Sequence, residues 1–154
     1  RNLGSIQFNI FPNAKQCSER NILFWKRSIM PYTLSNKSLA KLDGVHPDLV
    51  AVVKRAIQIS EQDFSVGEGL RSLSRQRELV NTGKSTTMNS RHLTGHAVDL
   101  FPYPLSWDWN YFYPIADAMK QAAKELDVDL EWGGDWRSFP DGPHFQLSWE
   151  SYPK

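Results

Sequence analysis

An α+β domain with a small, mainly antiparallel sheet flanked by helices is the fold this sequence predicts. Three patterns carry that expectation. Apolar residues recur at helical spacing around residues 47–60 and 110–126. Short apolar or alternating runs lie around residues 64–68, 97–101, 130–132 and 145–147. Gly-, Pro- and Asp-rich stretches separate them, with no repeat and no low-complexity tract.

The elements follow in chain order. Ser35 to Leu42 reads as a short helix, with Ser35 as N-cap and Gly44 just past its end. Pro47 opens a better one, running to about Ser60. Its stripe is Leu49, Val50, Val53, Ala56, Ile57 and Ser60. Phe64, Val66 and Glu68 alternate as a strand would, and Ser74 to Thr82 is a short polar helix closed by Gly83. Residues 84–91 form a polar loop, and Ala97 to Phe101 reads as a buried strand carrying one Asp. Asn110 to Leu126 is the longest helix, with Pro114 expected in its first turn, where a missing N–H is tolerated. Leu130–Trp132 and Phe145–Leu147 supply two last strands.

Composition narrows the function. The chain has 154 residues, 40% hydrophobic and 23% charged, as in an ordinary globular domain. A formal net charge of +1 leaves no strong electrostatic footprint for nucleic acid, though a weak, local attraction to an acidic polymer stays open. No run approaches the roughly 20 apolar residues that span a bilayer. The lone Cys17 makes neither an internal disulfide nor a Cys-based metal site, so any metal must be held by His and carboxylate. The first residues lack a basic segment leading into an apolar one, which argues against a secretory signal. Regular patterning begins at Met30. Residues 1–29 are read as an upstream extension, artefactual or disordered, with an added N-terminal strand or arm as the other reading. Aromatics concentrate between Phe101 and Tyr152, as core and rim or as the lining of a groove for an extended substrate.

The chemistry concentrates in two segments. In Ser90-Arg91-His92-Leu93-Thr94-Gly95-His96-Ala97-Val98-Asp99, a His in a polar loop leads into a strand with an Asp inside an apolar run. A buried carboxylate needs a cation or strong donors, so Asp99 is either a metal ligand or a paired structural Asp. His92 and His96 have the spacing of a helical metal pair, but Gly95 argues against a helix there. His96 is therefore read as a neighbour of the site or a solvent-facing residue. In the second segment, Asp141-Gly142-Pro143-His144 puts a His at the start of the last strand, just after a turn. Two imidazoles and a carboxylate suffice for a catalytic zinc with an open position for water. A nearby carboxylate that does not ligate can move that water's proton, and Asp141 fits the need.

The pattern Ser90, His92, Gly95, Ala97, Asp99, followed by Asp141 and His144, resembles the signature of the LAS metallopeptidases (lysostaphin-type, D-Ala-D-Ala, sonic hedgehog). More narrowly it resembles the D-Ala-D-Ala carboxypeptidase and L-alanyl-D-glutamate endopeptidase family, in its phage endolysin-like branch. The likeness runs from Met30 to Leu147 and includes Gly69-Leu70-Arg71-Ser72 and Trp132-Gly133-Gly134-Asp135-Trp136. It implies a zinc peptidase domain over residues 30–154, with Zn2+ on His92, Asp99 and His144. It implies Asp141 as acid/base, where carboxypeptidase relatives more often carry Glu. Arg71 matches an Arg that stabilises an oxyanion or grips a substrate carboxylate, and Gln76, Ser90 and Trp136 are expected at the substrate. Ser90 has a supporting role near His92 as a further reading, and Asp135 either orders its loop or hydrogen-bonds a ligating imidazole. The implied substrate is the peptidoglycan stem peptide, cut at L-alanyl-D-glutamate by a monomeric endolysin without nucleic-acid or membrane partners. Such a protein waits in the host cytoplasm for holin-mediated release to the cell wall. The alternatives are a D,D- or L,D-carboxypeptidase and a non-catalytic zinc-containing wall-binding module. A regulatory calcium on Asp108, Asp127 or Asp129 is the weakest reading.

Overall fold

The computed structural model describes residues 31–154, so the expectations for residues 1–29 and Cys17 lie outside the described residues. Among the described residues four helices and four strands follow in order: α1 (Asn36–Lys41), α2 (Pro47–Ile59), β1 (Phe64–Glu68), α3 (Leu73–Asn81), β2 (Ala97–Pro102), α4 (Trp109–Glu125), β3 (Leu130–Trp132) and β4 (His144–Leu147). Short 3-10 turns cover Arg91–Thr94 and Gly133–Asp135. The sheet has order β1-β2-β4-β3, every neighbouring pair antiparallel. No helix among the described residues is long and apolar enough to cross a membrane.

Local chemistry sets the helix ends. The hydroxyls of Ser35 and Ser72 accept the backbone N–H of Ser38 and Arg75, and Asp108 accepts that of Asn110. His46 caps α2 through Nδ1, which accepts from Asp48 N at 3.2 Å, a structural role. Pro114 departs from expectation. Because α4 already starts at Trp109, Pro114 lies in the second turn, inside the helix. It costs one backbone bond to the carbonyl of Asn110, an exposed residue that water can satisfy.

One sheet face carries the core. Phe64, Val66, Val98, Leu100, Phe145 and Leu147 point to it and pack with the stripes of α2 and α4, including Leu49, Val53, Ile115 and Met119. Each such fully buried side chain contributes on the order of 1.5–3 kcal/mol. The opposite face stays open and carries the alternate residues of the same strands.

One register irregularity shapes that open face. Phe64, Ser65 and Val66 pair with Pro102, Phe101 and Leu100, but Glu68 pairs with Asp99, so Gly67 is an extra residue in β1. Without this bulge, Glu68 would share the core-facing parity of Phe64 and Val66; with it, Glu68 joins the open face. Glycine is required there, because a Cβ at Gly67 would fall 2.2 Å from the Phe101 ring.

Candidate metal centre

The register builds a row across the open face: Glu68 on β1 opposes Asp99 on β2, which opposes His144 on β4. His92 arrives from outside the sheet. Ser90 caps the 3-10 turn by accepting His92 N, and Gly95 closes it at φ 73°. A Cβ on Gly95 would meet the Gly44 carbonyl at 2.3 Å, so this turn fits only with glycine. The His92 carbonyl accepts from Arg71 N at 3.0 Å, tying the turn to the end of β1.

These elements bring together His92, Asp99 and His144, whose ligand atoms lie within 4.8 Å of one another. His92 Nε2 is 3.2 Å from Asp99 Oδ1, and His144 Nδ1 is 3.3 Å from the same oxygen. The far ring nitrogens are anchored: His92 Nδ1 to the Gly69 carbonyl at 2.8 Å, His144 Nε2 to Gln146 Oε1 at 2.9 Å. Since both anchors are oxygen acceptors, those nitrogens carry protons; the other nitrogen of each ring faces Asp99, as a second donor when no metal is bound or as a lone pair toward a metal. Gln146 is held in turn by donating to Glu131 Oε2 at 2.7 Å. Burial would raise Asp99, but hydrogen bonds from His144 and His92 outweigh it and hold the carboxyl well below its usual range. Burial likewise would lower His144, yet bonding to Asp99 raises it. The cluster draws positive charge, which a divalent ion can supply in place of protons.

Arg71 lies beside the cluster, its fork on Glu68 at 2.9 and 2.5 Å, its Nη1 on Gln76 Oε1 at 2.7 Å and its Nη2 3.5 Å from Asp99 Oδ2. A bidentate grip on a substrate carboxylate would require breaking the Glu68 pair. Gln76 is fully buried, and its amide nitrogen donates to Ser85 Oγ at 2.9 Å and to the Thr87 carbonyl at 2.6 Å. It stands behind Arg71 with no surface for a substrate. Asp135 pairs with Lys120 at 2.7 Å on the surface, which corrects the reading that it bonds an imidazole. His96 turns away, its Nδ1 on Thr94 and its ring 5.3 Å from that of His46. Of the acidic loop residues, Asp108 caps α4 and Asp129 accepts from Ser148 and Ser151.

An open groove of about 1040 Å³ runs over the cluster, lined among others by Arg71, Ser90, Trp136 and Asp141. The Trp136 ring lies 5.1 Å from that of His144. Asp141 N donates to the Gly133 carbonyl at 2.9 Å, which fixes the loop before β4. Among the described residues no hydrogen bond reaches the Asp141 carboxylate. Desolvation in the groove wall, then the charge of Asp99, raises its pKa. Sequence reasoning missed Glu68, Gln146 and Glu131. The signal for Gln146 was available: two residues past His144 on a strand, it shares the same face.

Residues 30–147 match the profile of a family described as phage L-alanyl-D-glutamate peptidase. The chain is 32% identical over 119 residues to the L-alanyl-D-glutamate peptidase of Escherichia phage T5, covering 73% of this chain and 87% of that protein. It is 32% identical over 121 residues to the protein of that name from Listeria phage A118, covering 76% of this chain and 43% of the relative. The crystal structure of Serratia marcescens L-Ala D-Glu endopeptidase ChiX is 50% identical, with a TM-score of 0.77, covering 82% of this chain and 97% of that one.

Proposed function

The chain belongs to the phage L-alanyl-D-glutamate peptidase family, and from that premise we propose a zinc-dependent peptidoglycan endopeptidase that cuts the L-alanyl-D-glutamate bond of the stem peptide. The observation that carries the zinc assignment is the spacing of the donors. Two nitrogens and one carboxylate oxygen are a zinc donor set, and the nitrogen–oxygen separations are 3.2 and 3.3 Å. A tetrahedral zinc with bonds of about 2.0–2.1 Å sets neighbouring ligand atoms about 3.3–3.4 Å apart. His92 through Nε2, Asp99 through Oδ1 and His144 through Nδ1 would hold the ion. When bound, zinc supplies a Lewis acid that polarises the scissile carbonyl and makes water a nucleophile near neutral pH.

The remaining roles belong to the chain's own side chains. Asp141, whose carboxylate takes no hydrogen bond among the described residues and is raised in proton affinity, accepts the proton of the attacking water and returns it to the leaving nitrogen of D-glutamate. Arg71 is held by Glu68 and Gln76 with its charge toward the Asp99 side of the groove, where it stabilises negative charge on the former carbonyl oxygen. Gln76 acts through Arg71 as a positioning residue, while Trp136 and the Ser90 turn shape the groove walls. Lysis of a phage host is the setting this family suggests, with release to the wall from the host cytoplasm and action as a monomer.

Mass analysis of digested muropeptides tests the reading. Peptides with a new free amino group on D-glutamate are expected, appearing only without chelator. Release of terminal D-alanine alone would instead assign a carboxypeptidase, and zinc-loaded protein that binds the wall without cleaving it would assign a binding module.

A further inference from the structure

The two ends of the groove differ in chemistry. Along β2, Phe101 is the next residue after Asp99 on the open face, about 7 Å away. The Trp107 ring stands edge-on to Phe101 with centroids 5.5 Å apart, and lies 6.5 Å from that of Phe112. The loop before β4 reaches the same end: the Pro143 carbonyl accepts from Leu100 N at 2.9 Å, and Gly142 abuts the Phe112 ring. That loop carries Phe139. In the other direction the next row is Gln146 and Glu131, a polar end.

Trp107 is 68% and Phe139 80% exposed, and both line the groove that holds the metal set. Neither exposure helps folding. Phe139 also sits at φ 54°, a left-handed conformation that costs a non-glycine residue on the order of 1 kcal/mol. Two folding costs thus meet in one side chain on the groove rim, a place where strain marks function. Uncharged flat rings suit a neutral ligand with a broad C–H face better than an acidic peptide. The neutral partner covalently continuous with a stem peptide is the sugar chain that bears it.

We propose that Trp107 and Phe139 form a stacking subsite for a sugar ring of the peptidoglycan glycan strand, an assignment that rests on the peptidoglycan reading above. Two substrates separate the assignment from that reading: peptide-free glycan strands made by amidase digestion, and a glycan-free L-Ala-γ-D-Glu-diaminopimelate tripeptide. Zinc-loaded full chain is titrated with the strands by intrinsic fluorescence or calorimetry. Trp107→Ala and Phe139→Ala are expected to weaken strand binding about tenfold, the scale of one lost stacking contact. Cleavage of the tripeptide should stay within about twofold, as for a site outside the reacting centre. Phe139→Gly, which relieves the left-handed backbone, should lose the same binding at an equal or higher melting temperature. Strand binding equal in parent and variants, or undetectable in the parent, would overturn the subsite. A matching loss on the tripeptide would also overturn it, by showing that the rim grips peptide. A parent that binds strands but leaves the tripeptide intact would sink the peptidase reading while supporting the subsite.

Discussion

Replacing Gln146 with leucine removes the hydrogen bond that anchors His144 behind the candidate metal cluster. Gln146 is 6% exposed and His144 7%, and the bond between them is 2.9 Å long. Leucine is close in size but accepts nothing, so the buried Nε2–H of His144 would lose its partner. An orphaned buried donor costs about 1–3 kcal/mol. Glu131 would lose a donor too, but it lines the groove, where water can replace the amide. Without its anchor the imidazole can turn, or carry its proton on Nδ1, the atom that faces Asp99. Metal binding must then reverse that change. Lost outer partners of ligating imidazoles lower metal affinity about 10–100-fold, or about 1.4–2.7 kcal/mol, in line with the orphan-donor cost. Competition against a chromophoric chelator measures the affinity, and thermal unfolding in chelator confirms the fold. Glu131→Gln keeps an acceptor for the Gln146 amide and should lose less than about tenfold. A folded Gln146→Leu protein with parental zinc affinity would refute the argument that this bond sets the ring's proton.

Three further outcomes are expected. Asp141→Asn should retain zinc while turnover on purified peptidoglycan falls by about 10²–10⁴-fold, the worth of a positioned proton carrier; full activity would remove Asp141 from the role given to it. Gly67→Ala places a Cβ 2.2 Å from Phe101 and should destabilise by about 1–3 kcal/mol in chemical denaturation, since ring or strand must shift. Tyr152, pushed up to about 12 by burial and by its hydrogen bond to Asp48, favours its neutral form in the folded chain. Its contribution is complete below the unfolded value near 10 and is lost as pH rises toward 12. Melting temperatures of the parent should therefore fall across that window more steeply than those of Tyr152→Phe.

Much of the fold was legible because its signals are local. Apolar period and an opening Pro47 located α2, apolar period located α4, and turn residues separated the strands. The candidate metal set was legible from the order and spacing of the two segments together with their resemblance to the LAS signature; residue type alone left Asp99 open as a paired structural Asp. What escaped depends on register or on distant partners. Glu68 reads as a core-parity strand residue until the Gly67 bulge is known, and a glycine inside a short strand does not announce a bulge by itself. Gln76 looks like a helix-surface amide because its burial is made by the 85–87 loop and Arg71. Asp135 meets Lys120, fifteen positions away, on a neighbouring element.

The two imidazoles offer opposite edges, one its ε nitrogen and the other its δ nitrogen, and this makes them non-interchangeable in a way that residue type alone hides. An asparagine amide reaches about as far as a δ nitrogen, and a glutamine amide about as far as an ε nitrogen. Partial mimicry of the ligand sphere is thus open to asparagine at 144 and to glutamine at 92, while the swapped pair would leave each donor an atom too long or too short.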